Sequence, residues 1–93
     1  MVDKHIIGQL VFSKAGRDKN RPLIIVGLEN EYVFVVDGRT HKVDKPKLKK
    51  MKHVQPTSKN IKLIANKIIR GEYISNDDIK KAICDNLSNS KGG

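Results

Sequence analysis

The chain has 93 residues, of which 38% are hydrophobic and 31% are charged, and its formal net charge at pH 7 is +9. This length suits one domain and excludes a large internal substrate cavity, because so short a chain buries only about 60–65% of its unfolded surface. The positive charge fits nucleic acid or anionic lipid and fits acidic small substrates poorly. The lone cysteine, Cys84, excludes an internal disulfide, and its place in a helical pattern predicts a core or part-buried residue.

The ends and apolar runs of the chain bear on its location. The first residues, MVDKHIIGQLVF, lack the features of a secretory signal, and no stretch approaches the roughly 20 apolar residues of a membrane span. We therefore expect a cytoplasmic protein without membrane contact.

Three short strands are predicted in the first half of the chain. Residues 9–13 (QLVFS) form a short strand with Leu10 and Phe12 on one face and Val11 on the other, residues 23–28 form a β-branched run typical of an interior strand, and residues 32–36 (YVFVV) form the next. The strand patterns place Phe12 and Phe34 in the core.

The turns between these strands are also visible in the sequence. The polar loop over residues 14–21 contains a glycine and an asparagine, which tolerate positive φ. Asp37 and Gly38 match a type I′ hairpin turn, in which both residues adopt positive φ, so residues 40–43 are predicted to pair back on the preceding strand. Residues 51–54 are predicted to add a last short strand.

The last third of the chain changes to a helical period. Ser58 is expected to cap a first helix that ends at Gly71, and Ser75 with Asp78 approximates the capping box of a second. The apolar stripes of these helices are Ile61, Ile64, Ala65 and Ile68, and then Ile79, Ala82, Ile83 and Leu87. We expect the helices to pack on each other and on the β-structure; the alternative is that they bind a partner.

Taken together, the patterns predict a mainly β fold with C-terminal α-structure. Five short strands in fewer than 60 residues favour a small, strongly bent and closed barrel, because closure buries an apolar face and removes the sheet edges. The barrel would occupy residues 1–57, the two-helix extension residues 58–88, and a disordered tail residues 89–93.

The densest positive charge lies in residues 39–53, which hold seven cations and one acid and so contribute +6 of the net +9. In an extended chain, alternation would send the cations to solvent and Val43, Leu48 and Met51 toward the barrel, while Pro46 excludes helix. Ammonium groups bind phosphates well as point charges, but they recognise the planar edges of bases poorly. The seven cations are Arg39, Lys42, Lys45, Lys47, Lys49, Lys50 and Lys52.

The stretch GQLVFSKAGRDKNRPLIIVGLENEYVFVVDG resembles a KOW motif, which marks SH3-like barrels in ribosomal proteins and transcription elongation factors. With the basic run that follows, it is more closely similar to the eukaryotic and archaeal-type large-subunit ribosomal protein fourteen. Asn20 stands where this family often has a second glycine, and the resemblance covers roughly residues 6 to 57, without the C-terminal helices. The matching parts are Gly8–Val11, Ala15–Arg17, Leu23–Val26, Val33–Gly38 and Lys52–Thr57. The resemblance implies an SH3-like barrel of about five strands that binds RNA, with ribosomal RNA or the large ribosomal subunit as partner.

We therefore expect a non-catalytic protein that binds structured RNA through phosphate contacts. Four aromatic residues are too few for a base-stacking platform, no catalytic constellation is visible, and the three histidines lack metal-ligand spacing. We expect no cofactor and no metal. The alternatives are a protein-interaction module of the translation or transcription machinery, docking through its helices, and sequence-tolerant DNA binding. The candidate RNA-binding residues are Lys14, Arg17, Lys19, Arg21, Arg39, His41, Lys42, Lys45, Lys47, Lys49, Lys50, Lys52 and His53. Whether the first-loop cations share a face with the others depends on how the barrel folds.

Overall fold

The computed structural model describes residues 5–89, in a mainly β arrangement followed by two C-terminal helices, as predicted. Its strands are β1 (Gln9–Ser13), β2 (Pro22–Glu29), β3 (Tyr32–Val36), β4 (Lys47–Lys50) and β5 (Val54–Asn60). Its α-helices are α1 (Lys62–Ile69) and α2 (Asn76–Asn89), and short 3₁₀ helices occupy Gly16–Asp18 and Met51–His53. The predicted disordered tail lies mainly outside the described residues.

The five strands form one antiparallel sheet in the order β4-β3-β2-β1-β5. The strands β4 and β5 are its two edges and do not pair with each other, so the prediction of a closed barrel was wrong. The two apolar faces of the sheet are buried without closure of a barrel. The helices cover one face. The other face is enclosed because the sheet bends, as expected from the register shifts between Gln9 and Val11 and between Ile25 and Gly27.

Two buried clusters lie on opposite faces of the sheet, as the two-residue period of a strand requires. One cluster joins the sheet to the helices and contains Leu10, Ile24, Val36, Ile64, Ile79 and Ile83. The other lies within the bend of the sheet and contains Val11, Leu23, Ile25, Val33, Val35 and Val54. Each fully buried side chain of this size stabilises the fold by roughly 1.5–3 kcal/mol. The predicted packing of both helices on the sheet is confirmed.

The turn after β3 differs from the predicted hairpin. Only Gly38 has positive φ (80°), and the Asp37 carboxylate instead accepts hydrogen bonds from the amides of Arg39 and His41, each at 2.8 Å. Because these bonds curl the chain away from β3, residues 37–46 form a loop, and β4 rather than residues 40–43 pairs with β3. The predicted pairing of residues 40–43 was wrong.

The start of the helical part also differs from the prediction. Residues 51–53 form a 3₁₀ helix instead of a strand, and β5 continues through Ser58, which therefore does not cap α1. The side chains of Gln9 and Thr57 extend the pairing of β5 with β1. Gln9 Nε2 donates to the Thr57 carbonyl at 2.9 Å, and Thr57 Oγ1 donates to the Leu10 carbonyl at 2.6 Å.

The other helix ends match the sequence signals. Gly71 (φ 73°) ends α1 in a Schellman motif, in which the Glu72 amide donates to the Lys67 carbonyl at 2.8 Å. Ser75 and Asp78 form the predicted capping box: each side chain accepts a hydrogen bond from the other's amide, at 3.0 and 3.1 Å.

Three side chains lie nearer to solvent than their patterns predicted. Phe12 and Phe34 are half-buried instead of fully buried, and Cys84 is exposed. The buried stripe of α2 is centred on Ile79 and Ile83, and Cys84 lies outside it.

Candidate nucleic-acid interface

The loop after β1 packs directly against the basic segment, so the two cationic stretches meet. The Lys14 amide donates to the His53 carbonyl at 2.8 Å, and Lys49 Nζ donates to the Ala15 carbonyl at 3.4 Å. Asp18 contacts the basic segment as well. Gly16 (φ 79°) and Asn20 (φ 71°) take the left-handed conformations predicted for this loop.

Asp18 lies at the centre of this junction and is only 9% exposed. Its Oδ2 accepts a hydrogen bond from His41 Nε2 at 2.9 Å and lies 3.9 Å from Lys49 Nζ. Burial by itself raises the pKa of Asp18, but the His41 hydrogen bond and the charges of His41, Lys49 and Arg21 outweigh it and hold the pKa below its ordinary value of 3.8. Because a carboxylate can only accept, Nε2 carries the proton of this bond.

Two predicted RNA contacts, His41 and Lys49, therefore point inward, with side chains only 15% and 10% exposed. The expectation that every cation of the segment faces solvent was wrong at Lys49. In β4, Lys49 lies opposite Val33, on the face of the buried cluster within the bend of the sheet, and its ammonium group reaches the Ala15 carbonyl and Asp18, whereas Lys47 on the same face, at the start of β4, is exposed. Leu48 consequently faces the other way and is 46% exposed. Val43 and Met51 do pack inward, as predicted.

The other predicted site residues are all exposed. We refer to this set as the basic surface, and its members come from the loop after β1, from the loop over residues 37–46, from β4, and from the 3₁₀ helix before β5. They are Lys14, Arg17, Lys19, Arg21, Arg39, Lys42, Lys45, Lys47, Lys50, Lys52 and His53.

Hydrogen bonds hold the 37–46 loop in place although it has no strand partner. The Val43 amide donates to Asn76 Oδ1 at the start of α2 at 2.8 Å, and the Lys45 amide donates to the Lys42 carbonyl at 2.9 Å. With the Asp37 bonds, these contacts fix the backbone that carries Arg39, Lys42 and Lys45. A fixed backbone reduces the conformational entropy lost when a ligand binds.

Sequence reasoning missed two residues that shape this interface. Asp18 neutralises part of the charge beneath the basic surface. The sequence feature that could have revealed it is a single acid among the four cations of residues 14–21. Lys80 of α2 lines a cleft together with Arg21 and Arg39, and so adds a cation from a third element. The sequence indicates the role of Lys80 only weakly, because a lysine beside the apolar stripe of a helix is common.

Comparison of the sequence with models of known protein families gives no match, and no curated protein matches it. Within residues 5–89, neither helix is long and apolar enough to cross a membrane. The function must therefore be inferred from the geometry and charge of the basic surface.

Proposed function

We propose that the protein is a non-catalytic RNA-binding protein that holds structured RNA by its phosphates. The observation that carries this proposal is the basic surface: ten exposed lysine and arginine side chains, with His53, on two segments that pack together. Like charges held in proximity repel one another, and a polyanion relieves that repulsion. The acids in these segments are few, and Asp18 and Asp37 are occupied by internal hydrogen bonds.

The chemistry of the surface favours phosphates over bases. Most of its cations are lysines, which act as point charges, and Phe12, Tyr32 and Phe34 are half-buried. Tyr73, though 78% exposed, is a single ring and no stacking platform. These features favour the shape and backbone of a folded RNA as the target.

The KOW-like sequence pattern supports RNA in preference to DNA. It extends the proposal to ribosomal RNA, with the large ribosomal subunit as the assembly and the cytoplasm as the location. Competition between structured RNA and duplex DNA of equal length tests whether the protein prefers RNA to DNA. DNA that displaces the RNA at equal concentration would contradict it.

The basic surface itself is tested by a triple variant with a matched control. In the test variant Lys47, Lys50 and Lys52 become glutamine; all three are exposed and none belongs to the Asp18 cluster. If each phosphate contact contributes about 0.5–1 kcal/mol, the affinity for structured RNA falls about 10- to 150-fold.

The control variant removes the same number of charges from the helical part of the chain. Its substitutions are Lys62→Gln, Arg70→Gln and Lys81→Gln, at exposed positions outside the basic surface. We expect its affinity to fall less than about threefold, through the change in net charge alone. Equal losses in both variants, with folding intact by circular dichroism, would contradict a localised site.

A second candidate function, docking on a protein of the translation or transcription machinery, has a specific observation in its favour. Leu63, Ile69 and Tyr73, in and just after α1, are 66%, 75% and 78% exposed. Large exposed apolar side chains can anchor protein contacts. This function predicts a saturable protein partner retained at high salt after nuclease treatment, and lost when all three residues become serine.

A further inference from the structure

A cleft of about 220 Å³ opens where the start of β2, the 37–46 loop and α2 come together. Its polar lining consists of Arg21, Arg39, Lys80 and Asp37. The three cations thus come from three separate elements, and the cleft is continuous with the basic surface through its two arginines.

The charge balance of the cleft favours an anion. Three cations face one acid, and Asp37 Oδ1 is already held by the two loop amides at 2.8 Å. The Lys80 ammonium lies 3.4 Å from Asp77 Oδ1, but Asp77 is 92% exposed. An exposed pair at this helical spacing contributes only about 0.3–0.5 kcal/mol, so Lys80 can exchange it for a phosphate.

The remaining wall of the cleft is apolar. It is formed by Pro22, Ile83 and Cys84. The cleft is smaller than the 300–1,000 Å³ typical of sites for drug-sized ligands. Arginine guanidinium planes also stack on unpaired bases.

The backbone is built to bring Lys80 to this place. Gly38 has φ 80°, and a Cβ on it would lie 2.6 Å from the Asn76 carbonyl oxygen and 2.8 Å from Lys80 Cγ. A side chain at Gly38 would therefore push α2 and the stem of Lys80 away from the loop. The glycine permits both the turn and the close approach that completes the cleft.

From these observations we propose that the cleft binds one unpaired nucleotide of the RNA, its phosphate among Arg21, Arg39 and Lys80 and its base against Pro22 and Ile83. This inference rests on the proposed function and deepens it, since the basic surface alone would not distinguish paired from unpaired RNA. It predicts a preference for RNA duplexes that carry a bulged nucleotide.

Cys84 supplies a direct readout, because the only thiol of the chain lines the cleft and is exposed. The rate of alkylation by N-ethylmaleimide, a neutral reagent, is measured on the full chain with two RNAs. One is a duplex of about 20 base pairs, longer than a typical duplex-binding footprint, and the other is the same duplex with one bulged adenosine. At saturation, we expect the bulged RNA to slow alkylation at least about tenfold and the plain duplex less than twofold.

The variant Lys80→Gln tests the same inference without the thiol reaction. Wild-type protein is expected to bind the bulged RNA at least about fivefold more tightly than the duplex, and the variant to bind the two RNAs with equal affinity. Equal affinity of the wild type for both RNAs, or equal alkylation rates with both bound, would overturn the cleft proposal and leave the RNA-binding function intact. Failure to bind either RNA would overturn both.

Discussion

Asp18→Asn is the substitution that probes how the two cationic segments are joined. Asparagine keeps the size of the side chain and an oxygen that can accept from His41 Nε2, but it removes the charge. The hydrogen bond of 2.9 Å becomes neutral, and Lys49 Nζ, 3.9 Å away, loses its counter-charge while only 10% exposed. The loop after β1 should then be held less firmly to the basic segment.

The expected loss follows from these two changes. A hydrogen bond to a charged group contributes about 1.5–3 kcal/mol and a neutral one about 0.5–1.5 kcal/mol. The lost attraction of Lys49 adds to that difference, and the relieved desolvation of the carboxylate subtracts from it. We expect a net loss of about 1–2 kcal/mol in the free energy of unfolding at pH 7. For a chain of 93 residues this lowers Tm by about 4–15 °C.

The same substitution has a definite pH dependence. The folded pKa of Asp18 lies below 3.8, so the carboxylate stabilises the fold fully above its unfolded pKa, and this contribution is lost as pH falls through the folded value. Urea unfolding followed by circular dichroism should therefore show the wild type and Asp18→Asn well separated at pH 5–7 and converging as the pH falls below the ordinary Asp pKa of 3.8.

The matched control is Asp44→Asn, at an exposed acid in the same basic stretch. Its effect on the free energy of unfolding should stay within about 0.5 kcal/mol, as for most surface substitutions. If Asp18→Asn is as mild as the control at pH 7, or if its loss persists undiminished at pH 3, the Asp18 cluster does not join the segments as described.

Three further substitutions test the scaffold by thermal or urea unfolding. A Cβ at Gly8 (φ 89°) would lie 2.6 Å from the Cβ of Ala65, so Gly8→Ala should lose about 3 kcal/mol or more, from backbone strain and overpacking. Gly71→Ala, with φ 73° and nothing within 4 Å, should lose only about 1–2 kcal/mol, and equal losses would refute the close approach. Ser75→Ala should lose about 1 kcal/mol of cap energy, because the Asp78 amide loses its acceptor, while the pKa of Asp78 should stay below its ordinary value of 3.8, because the Ser75 amide that chiefly lowers it is kept; a pKa at or above 3.8 by NMR titration would contradict this.

The features that the sequence predicted well are those decided by local chemistry. The bounds of β1 follow from a short apolar run between two polar residues, and the capping box of Ser75 and Asp78 follows from two side chains three residues apart. Positive φ at Asn20 reflects an intrinsic tolerance of the residue. In each case the deciding contacts lie within a few positions in the chain.

The errors arose where distant residues decide the outcome. Asp37 and Gly38 match a hairpin turn locally, but Asn76 binds the Val43 amide from 33 residues away and helps to hold the loop apart from β3. The direction of Lys49 depends on its register opposite Val33, which alternation within the segment does not reveal. A period of two fixes which residues share a face, and only the neighbouring strand fixes which face is buried.

One salt titration tests the proposed RNA-binding role most directly. The affinity for a structured RNA is measured between about 50 and 200 mM salt, for the wild type and for the triple variant at Lys47, Lys50 and Lys52. Contact with six to eight phosphates predicts a log–log slope of about −5 to −7 for the wild type. The variant should have a slope shallower by about 3, since each lost phosphate contact reduces it by about 1. A wild-type slope near zero, or the same slope in both proteins, would contradict binding of RNA phosphates by the basic surface.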